Sequence, residues 1–117
     1  MKIALFTDRS TYTLKDVDVD NISQECSKFF GDGSTDFWKY KRFMLCTDEE
    51  NEINYYIIPD HKGKKRNDYE DTTGKFVIFV TADNTFALNM SFRDADMIIS
   101  SLRVMTECHD ILSNIRE

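Results

Sequence analysis

SFRDADMIISSLRVMTECHDILSNIRE, residues 91 to 117, is the stretch that most narrows what this chain can fold into. Apolar side chains recur at helical spacing as far as Ile115. Ser91, followed three residues later by Asp94, has the form of a capping box, in which each partner satisfies a backbone N–H at a helix start. The spacing predicts one long terminal helix. At about 100° per residue, Ile98, Leu102, Met105 and Leu112 form one stripe, and Met97, Val104, Cys108, Ile111 and Ile115 form a second beside it. A helix with so wide an apolar arc must bury at least one stripe against another element. Both stripes are expected to pack inside the monomer, the second against the first helix or a curved sheet; the alternative is that it meets a partner chain.

The rest of the chain supplies mainly strands for that helix to cover. Ile3 to Phe6 and YTLKDV read as an N-terminal hairpin, with Tyr12 and Leu14 on one face. DNISQECSKFFGDG places Ile22, Cys26, Phe29 and Phe30 on one side of a short amphipathic helix, with Asp20 or Asn21 as N-cap and Gly31 as its stop. Residues 37 to 47 and 53 to 58 form a second expected hairpin around the acidic tip DEENE. KFVIFV and TFALNM form a third, turning through TADN. Residues 59 to 75 read as a long loop. The order ββαββββα implies one α+β domain over residues 1 to 117. Its expected architecture is a mostly antiparallel sheet or half-barrel of about six strands, with one short helix and a long C-terminal helix packed on it.

Charge limits what such a domain can recognise. Fifteen Lys and Arg against 21 Asp and Glu give a net charge of −6, a field that repels phosphate and attracts basic partners. Direct binding of nucleic acid is therefore not expected. The apolar run Ile3 to Phe6 is short for a signal-peptide core, and no run approaches a membrane span, so a cytoplasmic location is expected. Cys26, Cys46 and Cys108 are odd in number and lack ligand spacing, which reads as reduced thiols; Cys26 and Cys108 fall on apolar helix faces.

Asp16, Asp18 and Asp20 have the alternation of a calcium loop. Asn21 and Ser27 stand where its Gly and Glu belong, and charges alternating with Val mark a strand with one solvated face. If that strand is an edge, its carboxylates form an acidic stripe. Asp60-His61-Lys62, at the end of INYYIIP, resembles the acid-x-Lys element of the PD-(D/E)xK metal nucleases. The resemblance covers three residues, and only Asp48 or Glu52 is available as the second acid on a partner strand. Lys62, Lys64, Lys65 and Arg66 form a basic loop that Asp60, Asp68, Glu70 and Asp71 neutralise locally, so it reads as a solvated loop that helps orient a partner. His109 reads as a partly buried structural residue. There is no nucleophile elbow or phosphate-binding glycine loop.

These features together favour a non-enzymatic protein-binding module with no cofactor or metal. It would neutralise a basic partner enzyme by masking its active or nucleic-acid-binding surface through Asp16, Asp18, Asp20, Asp48, Glu49, Glu50 and Glu52. In size, charge and organisation it is similar to bacterial toxin-immunity proteins and phage-encoded inhibitors of host enzymes, with no shared residue motif. The alternatives are a homo-oligomeric structural or interaction protein using the C-terminal helix, a homodimer being one form of it, and a metal-dependent nuclease-like phosphodiesterase using Asp60 and Lys62.

Overall fold

A computed structural model describes residues 1–32, 40–60, 64–82 and 87–116, with the side chains of residue 87 and of 112–116 outside the description. Five strands form an antiparallel sheet: β1 (Lys2–Asp8), β2 (Thr11–Asp16), β3 (Phe43–Asp48), β4 (Ile53–Pro59) and β5 (Phe76–Ala82). Their order is β2-β1-β5-β4-β3, and a two-residue strand, β6 (Ala87–Leu88), pairs with β5 beyond the end of β1. The α+β expectation holds, with five full strands where about six were expected. TFALNM contributes only β6, and the TADN turn at 81–84 falls partly outside the described residues.

The sheet separates two cores because alternate side chains leave it on opposite faces. On one face Ala4, Phe6, Tyr55, Ile57, Phe76 and Ile78 pack beneath α3 (Phe92–Arg116), which contributes Ala95, Ile98 and Leu102. On the other face Ile3, Ile58, Val77 and Phe79 pack with Cys26 of α1 (Ile22–Phe30). β5 is apolar on both sides because it lies mid-sheet between these layers, which explains the uninterrupted run FVIFV.

The capping box at the start of α3 forms as expected. Asp94 N–H donates to Ser91 Oγ at 3.1 Å, and Ser91 N–H donates to Asp94 Oδ2 at 3.0 Å. The phenol of Tyr55 donates to Asp94 Oδ1 at 2.8 Å, pinning the helix start to the sheet. Gly31 ends α1 in the left-handed conformation, φ 73°. Asn21 occupies the N-cap of α1 without a side-chain cap bond.

Four expectations are corrected. The second stripe of α3 is not packed inside the monomer: Met97, Val104 and Ile111 are 43%, 59% and 58% exposed, and Cys108 is exposed with them. A helix lying on a flat sheet face presents one stripe to it, and α1 packs on the opposite face. Leu112 and Ile115 lie outside the described side chains. The acidic stretch is a strand only to Asp16; Val19–Asn21 turns as a single 3₁₀ helix, with Val17 buried and Val19 exposed. The third expected strand begins at Phe43, not at 37; residues 37–39 lie outside the described chain and Tyr40, Lys41 and Arg42 approach as irregular backbone. The 59–75 segment carries a helical turn, α2 (Asp68–Asp71), capped by Asn67 and burying Asp71 and Thr72.

Candidate functional site

Strand register decides where the acidic residues lie. Asp16 is paired with Lys2 at one end of β1, and Asp48 is paired with Ile53, itself paired with Ala82 at the end of β5. β1 and β5 are antiparallel with Ala4 opposite Ile78, so the Lys2 end of β1 and the Ala82 end of β5 coincide. Asp16–Asp20 and Asp48–Glu52 therefore occupy the same end of the sheet, at its two edges, roughly 19 Å apart across four inter-strand spacings. The sequence placed these seven carboxylates in two separate elements; the fold brings the elements to one end.

The carboxylates differ in their surroundings. Asp16 accepts from the Met1 ammonium at 2.9 Å, and this bond and the ammonium's charge hold its carboxyl below the usual range. Asp48 accepts from the Asn51 side chain at 2.8 Å and the Asn51 N–H at 3.3 Å; these bonds lower its pKa and shape the β3–β4 turn. Glu52 closes that turn with φ 55°, a left-handed conformation that glycine or asparagine adopts more easily. Asp18, Asp20, Glu49, Glu50 and Glu52 are exposed.

Between the α1 side and the approach to β3 lies a groove of about 930 Å³. Val19, Asp20, Ile22 and Ser23 line it on the α1 side; Tyr40, Lys41 and Arg42 line it on the other, with Ile58 and Phe79 contributed by the sheet. Among the described residues α1 covers only part of this sheet face: its nine residues span about 13 Å, against roughly 23 Å for a seven-residue strand. Beside it Tyr56 stacks on Phe79 with ring centroids 5.4 Å apart, and Arg42 lies over both rings at 5.5 and 5.9 Å. Met44, paired with Tyr56 and so on the same face, is exposed. The groove thus combines an apolar, aromatic floor with a charged rim.

The other sequence candidates do not gather here. Asp60 follows Pro59 at the opposite end of β4 from Ile53, so Asp48 and Glu52 lie about a full strand length, roughly 23 Å, from it. His61 and Lys62 are outside the described residues. Lys64, Lys65 and Arg66 are exposed, with Lys65 Nζ 3.8 Å from Asp68 Oδ1 and 5.9 Å from the Phe43 ring centroid. His109 is half-buried and stacks on Tyr69 at 3.7 Å, while Arg9 covers Tyr69 at 4.1 Å and donates through Nε to Thr72 Oγ1 at 3.0 Å. Among the described residues no group of three or more His, Cys, Asp or Glu is placed to hold a metal ion. No described helix is long and apolar enough to cross a membrane.

No family model, curated protein or solved structure matches the chain. The groove residues Tyr40, Arg42, Ile58 and Phe79 were not singled out as a site in the sequence. The available signal was the shortness of the first helix against two-sided apolar strands.

Proposed function

We propose that this chain is a protein-binding module that occupies a basic surface on a partner protein, inhibiting that partner by masking its active or nucleic-acid-binding face. What supports this reading is the convergence of the two acidic elements at one sheet end, one of which reaches an apolar groove through Asp20. The carboxylates steer a Lys- or Arg-rich surface into register, and the groove supplies the desolvated contact that holds it. Glu52 fits this division of labour: its left-handed backbone costs about 1 kcal/mol relative to glycine, and the chain carries a carboxylate there.

Steering and holding separate kinetically. Reversing charge at exposed positions outside the groove, Asp18→Lys, Glu49→Lys and Glu50→Lys, should slow association with the partner about tenfold or more and flatten its dependence on salt, with little change in dissociation. Val19→Asp in the groove, and Met44→Asp beside it, should accelerate dissociation instead. Unchanged association rates and salt dependence after reversal at both clusters would contradict this reading.

A further inference from the structure

The outer face of α3 forms a second surface, separate from the groove. At about 100° per residue, Arg93, Met97, Val104 and Ile111 lie within about 20° of one line along the helix, while Ile98 and Leu102 point about 120–160° away into the core. Met97, Val104 and Ile111 recur every seven residues, and all three are among the most exposed large hydrophobic side chains described. A seven-residue recurrence on a helix already packed on its other side fits a second helix, because only a helix repeats its contacts at that interval. Ser100 and Ser101 lie between Met97 and Val104, and their small side chains permit close approach at that level.

The charges beside the stripe select the occupant and its direction. Arg93 stands at its N-terminal end, and Glu107 flanks it one turn after Val104, on the same side as Ser100. Two copies of α3 crossed antiparallel between Ser100 and Ser101 place Met97 of each against Val104 of the other, and Arg93 of each beside Glu107 of the other. A parallel pair would set Arg93 beside Arg93 and Glu107 beside Glu107. We propose that α3 is a self-association surface, taking a second copy of this chain in an antiparallel, two-fold pair centred on Ser100 and Ser101. Because a two-fold pair uses the same patch on both chains, it closes and leaves the groove of each copy free.

Sedimentation velocity of the full chain from low to high micromolar concentration tests it. The expected result is a reversible monomer–dimer equilibrium, weakened at least about tenfold by Val104→Asp. Met97→Lys should act in the same direction, with thermal unfolding of the monomer monitored for both. A monomer throughout the range, or a dimer indifferent to both substitutions, overturns the proposal. Direction is read by oxidation in a Cys46→Ser background: Arg93→Cys should crosslink to Cys108 of the second copy. A Cys108–Cys108 crosslink without that substitution would overturn the antiparallel arrangement. Either failure leaves the groove reading untouched, since the two surfaces share no residue.

Discussion

At Asp94 one carboxylate serves two elements. It accepts from the Ser91 N–H and Oγ at the start of α3 and from the Tyr55 phenol in the sheet. Burial pushes its pKa up, but the bonds from Ser91 and Tyr55 outweigh burial and hold the carboxyl below its ordinary value of 3.8. Burial and the neighbouring Asp94 charge push the Tyr55 phenol far above its ordinary range, so it remains a donor at any physiological pH. A carboxyl lowered on folding stabilises the fold fully above its unfolded value, and that contribution is lost as pH falls through the folded value. Asp94→Ala should therefore cost about 1–2 kcal/mol at neutral pH. Urea titrations at successive pH values should show the gap between the variant and the original chain closing only below about pH 4, in step with that loss of linkage. A gap that stays constant from neutral to pH 2 would contradict the assignment.

Among the elements, α3 was the most legible in sequence and the most instructive where expectation failed. Its cap and core stripe follow from local spacing, so Ser91, Asp94, Ile98 and Leu102 take their expected places. Whether Val104 is buried depends on what else lies over the helix, and no local pattern encodes that. Leu102→Ala should cost about 2–5 kcal/mol in urea unfolding of the monomer, while Val104→Ala should cost less than about 0.5 kcal/mol. Comparable losses at both positions would mean that the stripe is buried in the monomer after all. The hairpins β1–β2 and β3–β4 were legible for the same local reason. The pairing of β1 with β5 joins residues 70 to 74 positions apart, so strand order, and with it the meeting of the acidic ends, was not. Irregular backbone at Tyr40–Arg42 and the turn at Val19–Asn21 escaped sequence patterning because both lack a regular period, yet they line the groove.

Across the whole molecule, three kinds of surface are segregated. Acidic elements occupy one end of the sheet, an aromatic groove opens on the α1 face, and an apolar helical stripe runs along the opposite face. The net charge of −6 gives a field that attracts basic surfaces, and the groove and the stripe lie on opposite faces of the sheet. Whether the acidic elements recruit a partner is decided by two baits compared side by side: the original chain, and the chain reversed to Lys at Asp18, Asp20, Glu49 and Glu50. Both would be exposed to the native host's extract and washed at low and then high salt, with retained proteins weighed and identified by mass spectrometry. One basic protein should be held near stoichiometrically by the original bait, released by salt, and absent from the reversed bait. The same proteins retained on both baits, or none that separates them, would contradict it.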